Sequence, residues 1–246
     1  LKSVDLNSID VRMVAGCGKS SNSVCALASR QGLWFAYPDL DEGEQLSRYS
    51  TLKDCHGRYW DFSTVCWCTE TDYLAAISQK TIILLDFFTG KHRILENGAS
   101  VSRSYIDMDW STSHLCACSL DGLIAIYDIR KRKPPSHILD AKAIGSAQIR
   151  CSKSKPYVLA SSHEGQPNTV NLWDIRTPSR PYATVICTAS GNLGRFDWHP
   201  TVEDLLVTCS PSDDEVKLWH LSSSLSTPHA TVPAPQHASL ARFDAS

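Results

Sequence analysis

The sequence predicts an all-β fold assembled from repeated four-stranded sheets. Two markers recur along the 246 residues with nearly constant spacing. The first, the apolar residue that ends an alternating strand, recurs at intervals of 48, 42, 46 and 46 residues: Tyr37, Leu85, Tyr127, Trp173 and Trp219. The second lies upstream, at intervals of 43, 41 and 47 residues: Trp67, Trp110, Cys151 and Trp198. Unrelated strand-rich segments would not keep two markers in phase, so the chain contains internal repeats.

Each repeat has room for four short strands separated by turns. In the third repeat the predicted strands are 104–110, 114–119, 123–128 and 136–140. The strand 123–128 carries Leu or Ile on both faces, which predicts packing on both sides. Turn-forming pairs such as Asp121-Gly122 separate the strands, and no long segment has helical periodicity. Four-stranded repeats of about 40–45 residues are typical of a β-propeller.

The whole chain, 1–246, is predicted to be one propeller fragment. The predicted blades are 24–50, 60–96, 104–140, 146–187 and 193–233, and 239–246 is predicted to be the first strand of a sixth. A seven-bladed ring needs roughly 300 residues at this repeat length, so we expect five blades and the start of a sixth from a truncated seven-bladed ring. An open arc would expose sheet edges, and we expect sequence beyond Ser246 to close it.

The composition excludes several classes of protein. The chain is 42% hydrophobic and 20% charged with a net charge of −2, which argues against intrinsic disorder and against a general nucleic-acid-binding surface. No apolar run approaches the roughly 18–20 residues that span a bilayer. The first residues lack the apolar core of a signal peptide. We therefore expect a globular protein without a nucleic-acid partner and without direct membrane insertion.

Cysteine usage favours reduced, buried thiols. The ten cysteines include no C-x-x-C pair and no recurring Cys/His cluster, so no metal site is predicted. Cys66 and Cys68, like Cys116 and Cys118, lie two apart on one face of a strand, where a disulfide is poorly placed. No permitted N-x-S/T sequon occurs. We expect a cytosolic protein without a metal or another cofactor.

Three segments resemble the terminal strand of WD40 repeats: LIAIYDIR (123–130), VNLWDIR (170–176) and VKLWHL (216–221). The turn Ser119-Leu120-Asp121-Gly122 resembles the S-x-D-G turn that precedes that strand. The resemblance implies a WD40-type β-propeller with six structural repeat residues: Asp121, Tyr127, Asp128, Trp173, Asp174 and Trp219. The family's Gly-His start is absent from every repeat, so we do not expect a complete Asp–His–Ser–Trp hydrogen-bond network in any blade.

A more specific resemblance covers nearly the whole chain. The segments 146–181 and 193–221 resemble the propeller of a WD-repeat subunit of the GATOR complexes, which act in amino-acid signalling to the TOR kinase. The departures are an insertion at Gln166-Pro167-Asn168 and a poorly matched 1–23. The resemblance implies a non-enzymatic scaffold whose partners are other protein subunits, with no small-molecule substrate. It also implies a cytoplasmic protein that partners recruit to the lysosomal surface.

A second function stays open. Trp173-Asp174-Ile175-Arg176 fits the WDxR pattern and resembles substrate receptors of cullin-4 ubiquitin ligases, and 127–130 nearly repeats it. The motif is short and occurs in many WD40 repeats. The identity of co-purified partners distinguishes a ligase receptor from a GATOR-type subunit.

Enzymatic chemistry has little support in the sequence. Gly16-Cys17-Gly18-Lys19-Ser20 resembles a P-loop, but Met13 occupies the required glycine position and a strand follows instead of a helix. His163, His199 and His220 are the best-placed histidines, yet no G-x-S-x-G elbow precedes a helix. A hydrolase is therefore disfavoured and no catalytic residue is predicted. The basic run 130–133 is either a solvated connector or a phosphate-binding patch.

A partner-binding rim is predicted where large or charged residues begin the first strand of a blade or occupy the turn between its middle strands. These residues are Trp60, Phe62, Gln79, Arg103, Tyr105, Leu120, Glu164 and Asp213. Aromatic and arginine side chains are the usual energetic centres of interfaces. For Trp60 and Phe62 a second interpretation stays open, in which they cover the edge of the blade.

The cysteines of the native protein are predicted to be unpaired thiols. Thiol labelling of the native protein after denaturation without reductant should modify nearly all ten cysteines, because thiols in a reducing compartment remain unpaired. Mass spectrometry of the labelled peptides checks this. Two or more stable disulfides would contradict the cytosolic assignment.

Overall fold

The computed structural model describes most of the strand-forming sequence. The described residues are 11–17, 24–37, 46–48, 60–68, 70–78, 80–95, 104–112, 114–131, 135, 137–141, 145, 147–164, 166–187, 193–210 and 215–233. Within these ranges the secondary structure is entirely strands and turns. None of these residues belongs to a helix long and apolar enough to cross a membrane. The chain divides into two compact units, one containing 1–106 with 132–134 and the other 107–131 with 135–246.

The first unit contains two four-stranded antiparallel sheets. In each sheet the strands pair in chain order, which short turns between successive strands permit. The first sheet consists of β1 (Val11–Cys17), β2 (Val24–Ser29), β3 (Gly32–Ala36) and β4 (Leu46–Arg48). The second consists of β5 (Phe62–Trp67), β6 (Tyr73–Ser78), β7 (Thr81–Asp86) and β8 (His92–Leu95).

The second unit contains most of the third sheet and all of the fourth and fifth, again with strands paired in chain order. The third sheet consists of β9 (Tyr105–Ser111), β10 (His114–Ser119), β11 (Leu123–Asp128) and β12 (His137–Asp140). The fourth consists of β13 (Ala147–Cys151), β14 (Val158–His163), β15 (Gln166–Asp174) and β16 (Ala183–Ile186). The fifth consists of β17 (Arg195–Trp198), β18 (Leu205–Cys209), β19 (Glu215–His220) and β20 (Ala230–Pro233).

The all-β prediction is confirmed, and the strands of the third sheet lie within one residue of their predicted bounds. The sheets from the second to the fifth each lie inside one predicted blade range. The first sheet differs, because β1 begins at Val11 and the predicted blade began at 24. This strand lacks the turn and small-residue pattern of the repeats, and its pairing with β2 places it in the sheet. The predicted strand 239–246 lies outside the described residues.

The middle strands of the first four sheets are largely buried on both faces, whereas in β19 of the fifth sheet only Trp219 is buried. Ile124, Ala125, Ile126 and Tyr127 of β11 are each at most 2% exposed. This confirms that the alternation in 123–128 reflects packing on two sides. The fourth strands are more exposed, and in β12 the side chain of Ile138 is accessible while Leu139 is buried.

The core of the first unit is centred on aromatic side chains. The ring centroid of Phe87 lies 5.0 Å from that of Phe35 and 5.2 Å from that of Trp67, both with edge-to-face geometry. The Trp67 indole Nε1 donates a hydrogen bond of 2.9 Å to the Ala15 carbonyl oxygen. Trp67 ends β5 and Ala15 lies in β1, so this bond joins the first strands of the first and second sheets.

The core of the second unit repeats this arrangement. Trp198, which ends β17, packs with Leu172, Val185 and Trp219. Its Nε1 donates to the Arg150 carbonyl oxygen in β13 at 3.0 Å. Trp67 and Trp198 thus occupy one repeat position and make the same contact with the first strand of the preceding sheet. The recurrent tryptophan is therefore a packing residue.

Truncation of this tryptophan should destabilise the fold. We expect Trp198→Ala to lower the free energy of unfolding by about 3–5 kcal/mol, because it removes a buried indole and leaves a cavity. Trp198→Phe retains most of the packing and removes the hydrogen bond, so it should cost about 1–3 kcal/mol less than the alanine variant. Denaturant titration of both variants measures the difference. A loss below about 0.5 kcal/mol for Trp198→Ala would place the indole outside the core.

Candidate protein-interaction surface

Trp173 and Trp219 form a recurring polar contact between the middle strands of their sheets. The Trp173 Nε1 donates to the Ser161 hydroxyl and the Trp219 Nε1 donates to the Thr208 hydroxyl, both at 2.9 Å. Both indoles are 1% exposed. A buried indole N–H needs an acceptor, and the hydroxyl of the neighbouring strand supplies it. In the third sheet the equivalent position is Tyr127, which is also buried.

His163 extends this contact in the fourth sheet. Its Nε2 lies 3.1 Å from the Ser161 hydroxyl oxygen, and its buried Nδ1 has no hydrogen-bond partner. Burial lowers the pKa of His163 to about 4. The sequence did not predict this three-residue Trp–Ser–His network, because the histidine comes from β14 itself. The Ser–His pair is enclosed, with Ser161 0% and His163 4% exposed, so its observed role is to satisfy buried polar groups.

The other two histidines stabilise turns. His199 Nδ1 accepts hydrogen bonds from the backbone amides of Thr201 and Val202, at 3.2 and 2.9 Å. His220 Nδ1 lies 2.8 Å from the Ser222 hydroxyl. Each histidine therefore shapes the turn that follows it. The P-loop-like segment of the sequence ends β1 and continues outside the described residues.

The predicted structural aspartates cap turns. Asp121 accepts a hydrogen bond from the Ser119 hydroxyl. The Asp128 carboxylate accepts the amide of Arg130 at 3.0 Å, and that of Asp174 accepts the amide of Arg176 at 2.9 Å. The aspartate of the WD dipeptide thus closes the turn between the third and fourth strands of its sheet.

Two predicted rim residues are buried. Phe62 is 0% and Tyr105 4% exposed, so both leave the candidate surface. Each is the first residue of a first strand, β5 or β9, and its side chain points into the core. Trp60 is half-buried against the core of the first unit. These positions favour the edge-covering interpretation that the sequence left open for Trp60 and Phe62.

The remaining rim residues stay predictions. Leu120 is 43% exposed and Glu164 is also exposed, both in turns between middle strands. A Cβ atom at Gly145 would lie 2.9 Å from the Glu164 Oε2, so Glu164 packs over this glycine, whose φ is +113°. Gln79, Arg103 and Asp213 lie outside the described residues.

A buried ion pair joins the first strands of the third and fourth sheets. The Arg150 Nη1 lies 2.7 Å from the Asp107 Oδ2, which also accepts the Ile149 amide at 3.1 Å. Burial alone would lower the pKa of Arg150, but the carboxylates of Asp107, Asp109 and Asp197 raise it above its usual value. The pair aligns neighbouring sheets and leaves little of either side chain accessible.

The turns that follow the first strands meet directly. The Ser111 hydroxyl, at the end of β9, donates to the Pro156 carbonyl oxygen in the turn between β13 and β14. Lys155 in the same turn lies 2.7 Å from the Asp204 Oδ2 in the turn between β17 and β18. These bonds link one end of the third, fourth and fifth sheets. We call this end the turn surface; it comprises 129–131, 152–157, 175–182 and 199–204.

Arg176 is the best-oriented charged group on the turn surface. Its Nε and Nη2 donate to the two carboxylate oxygens of Asp174, at 2.9 and 2.6 Å. Its guanidinium carbon lies 4.9 Å from the ring centroid of Tyr157, within cation–π range. The side chain is nevertheless 63% exposed. Hydrogen bonds from Arg176 lower the pKa of Asp174, so the pair stays ionised at neutral pH.

Exposed apolar and aromatic side chains also lie on the turn surface. Tyr157 is 45%, Tyr182 54% and Val202 43% exposed. Burial raises the pKa of Tyr182, and the nearby carboxylates of Asp204 and Asp174 raise it further. The Tyr182 phenol is therefore protonated at neutral pH. The sequence analysis did not identify these residues. In the sequence, each of the two tyrosines ends a tripeptide of a basic residue, proline and tyrosine: Lys-Pro-Tyr at 155–157 and Arg-Pro-Tyr at 180–182.

An open groove lies beside the turn surface, between the outer strands of the third and fourth sheets. Its volume is about 450 Å³, and its lining includes Asp140, Asn171, Arg180 and Thr184. The Thr184 hydroxyl donates to the Asn171 side-chain oxygen at 2.8 Å, which satisfies both groups. The groove therefore offers Arg180 as its cationic group.

Within the described part of the chain, no three His, Cys, Asp or Glu side chains are grouped as metal ligands. Of the eight cysteines whose burial the structure describes, six are buried and two are half-buried, and none forms a disulfide with another of them. Burial raises the pKa of Cys187 to about 12 and also raises that of Cys118, so these thiols are protonated at neutral pH. A thiol that is protonated and enclosed is a packing group.

Comparison with known proteins gives WD-repeat relatives, and no protein-family profile matches the chain. The chain is 26% identical over 223 residues to Maintenance of telomere capping protein 5 of Saccharomyces cerevisiae, covering 84% of this chain and 18% of that protein. It is 30% identical over 110 residues to GATOR2 complex protein WDR24 of Danio rerio, covering 45% of this chain and 14% of that protein. It is 28% identical over 156 residues to GATOR2 complex protein Wdr59 of Drosophila melanogaster, covering 61% and 16%. The chain thus spans less than a fifth of the length of these relatives.

A solved structure shows the fold. A chain of the structure titled "Crystal Structure of Mitotic Checkpoint Complex" superimposes with a TM-score of 0.70 at 19% identity, covering 91% of this chain and 64% of that one. The predicted class, an all-β WD40-type β-propeller, is confirmed, while the predicted blade count stays a prediction. The segments 146–181 and 193–221 resemble WD repeat protein 59 in particular, which the comparisons support only weakly. The yeast relative, a different protein, matches more of the chain.

The buried histidine makes the stability of the protein depend on pH. His163 has a pKa of about 4 in the folded protein, and the usual pKa of histidine is about 6.5, so the unfolded chain binds its proton first as the pH falls. Above pH 6.5, His163 should not change the free energy of unfolding. Between pH 6.5 and 4, the free energy of unfolding should fall by up to about 1.4 kcal/mol per pH unit, because the unfolded chain takes up the proton of His163 first.

Urea titrations of the parent and of His163→Gln across this range measure that contribution. We expect a shallower loss of stability on acidification in the variant. The same substitution at the exposed His229 is the control and should retain the parental slope. Equal slopes in the parent and in His163→Gln would remove His163 as the source of the pH dependence.

Proposed function

We propose that this chain is a protein-interaction scaffold within a GATOR-type complex. A WD-repeat scaffold is the coarse class that its fold and relatives define, and two of the relatives are named as GATOR2 complex proteins. The observation that carries the proposal is the turn surface. There an oriented arginine contacts the exposed ring of Tyr157, and Tyr182 and Val202 are exposed in other turns of the same surface; aromatic and arginine side chains are the usual anchors of protein interfaces.

The proposed biological setting follows from the resemblance. We propose that the protein takes part in amino-acid signalling to the TOR kinase, in the cytoplasm, and that partner subunits bring it to the lysosomal surface. In this role the propeller turns over no substrate and needs no cofactor. Its contribution is the fixed placement of side chains by packed sheets.

A second candidate is a substrate receptor of a cullin-4-type ubiquitin ligase. The observation that favours it is the geometry of 173–176, where Trp173 is buried, Asp174 caps the turn and Arg176 is exposed. The motif is therefore more than a sequence match, because its last side chain is accessible to a partner. The same geometry serves a GATOR-type scaffold equally well, so partner identity decides.

Affinity purification of the full-length protein that contains this chain tests both functions. We expect other GATOR subunits to co-purify in stable amounts, because a scaffold subunit remains bound to its complex. Quantitative mass spectrometry of the purified material measures them. Recovery of a cullin-4 adaptor in their place would establish the second candidate, and recovery of neither set would contradict both.

A further inference from the structure

Basic residues are concentrated at one end of the third and fourth sheets. The turns 129–131, 152–157 and 175–182 contain six lysines and arginines and no aspartate or glutamate: Arg130, Lys131, Lys153, Lys155, Arg176 and Arg180. The hydrogen bonds between Ser111 and Pro156 and between Lys153 and the Trp110 carbonyl oxygen hold the ends of the two sheets together.

The opposite end of the third and fourth sheets has the opposite charge. The described residues of the turns between their middle strands include Asp121 and Glu164 and no lysine or arginine. These two sheets are thus polarised along their strands. Such a charge distribution attracts an acidic partner to the basic end and repels it from the other.

Arg176 is prepared to bind a carboxylate at this end. Asp174 occupies its Nε and Nη2, whereas Nη1 makes no hydrogen bond with any described residue. The contact with Tyr157 fixes the plane of the guanidinium. Because the side chain is already ordered, binding through Nη1 costs little further conformational entropy. Arg180, four residues further on, and Arg130, in the corresponding turn of the third sheet, are both exposed and form no ion pair with a described residue.

The acids on the turn surface indicate which kind of anion fits. Asp174 is paired with Arg176, and Asp204 with Lys155, whose Nζ is also 3.9 Å from the Glu203 Oε2. These carboxylates lie among the cations and would repel a continuous phosphate backbone or a charged lipid surface. A peptide can place its own carboxylates opposite the arginines and its apolar side chains against Tyr157 and Tyr182.

We propose that the turn surface binds an acidic segment of a partner protein, with a carboxylate of that segment on Arg176 and apolar side chains on the two exposed tyrosines. The proposal rests on the function proposed above, since it gives the chemistry of a partner for an interaction scaffold. Binding is expected to weaken as salt increases, because the cations around Arg176 are solvent-exposed.

A defined peptide tests the proposal without an identified partner. The probe is a fluorescein-labelled peptide of alternating Glu and Leu, and its matched control has Gln in place of Glu. Fluorescence anisotropy of the full-length protein measures binding at about 50 and 200 mM salt. We expect the Glu peptide to bind at least about tenfold more tightly than the Gln peptide at the lower salt, with the difference reduced at the higher salt.

Three substitutions locate the site. Arg176→Glu should weaken binding of the Glu peptide by about tenfold or more, since it reverses the charge at the proposed contact. Arg180→Glu changes an exposed arginine that pairs with no acid among the described residues, so it should weaken binding without local rearrangement. Arg195→Glu is the matched control, because Arg195 is exposed at the start of β17, away from the turn surface, and it should bind as the parent does. Thermal unfolding of each variant verifies that the fold is intact.

Two other anionic ligands test whether the turn surface prefers a phosphate-bearing partner to an acidic peptide. A single-stranded oligonucleotide and vesicles containing phosphatidylserine are titrated in parallel. Arg176-dependent binding of either one that is tighter than binding of the Glu peptide would overturn the proposal, as would equal binding of the Glu and Gln peptides. Equal losses for Arg176→Glu and Arg195→Glu would also overturn it. The scaffold function is judged separately by the subunits that co-purify with the parental protein, and it stands even if the peptide does not bind.

Discussion

In the first four sheets the middle strands are largely buried on both faces, and this constraint governs the rest of the structure. A strand such as β11, with four consecutive buried residues, cannot leave either face beside water. The sheet must therefore be covered on each side by another. Within each unit the neighbouring sheets meet at their first strands, where Trp67 and Trp198 fill the space and bond to the backbone of the preceding sheet. The side chains that can contact a partner protein therefore lie mainly in the turns.

Polar groups inside this packing fix how adjacent sheets align. The Arg150 guanidinium reaches Asp107 in the preceding sheet, and the Gln148 amide donates to the Phe196 carbonyl oxygen in the following one. Apolar packing alone tolerates small sliding movements between sheets. A buried ion pair does not, because separating it would leave a charge without a partner, at a cost of about 3–5 kcal/mol. The positions of the turns depend on this alignment.

The sequence predicted the fold more completely than the site. Strands of the third sheet were predicted within one residue because alternation and Asp-Gly turns mark them, whereas β1 lacks both signals. Phe62 and Tyr105 were placed on the surface because the sequence shows that they begin strands and not which way they point. Tyr157 and Tyr182 follow prolines in turns, and only the packing of β13–β16 reveals that their rings are exposed.

The WD dipeptide connects structure and interaction in the fourth sheet. Trp173 fixes β15 through Ser161, and the next residue, Asp174, caps the turn and orients Arg176. Asp128 caps the corresponding turn of the third sheet, where its carboxylate accepts the Arg130 amide and lies 3.4 Å from the Lys131 Nζ. The two sheets also differ in the turn between the first two strands. It is two residues long in the third sheet, at 112–113, and six residues long in the fourth, where it supplies the ring of Tyr157. The aspartate of the repeat motif therefore pairs with a lysine in one sheet, and in the next it orients an arginine that also contacts an aromatic ring.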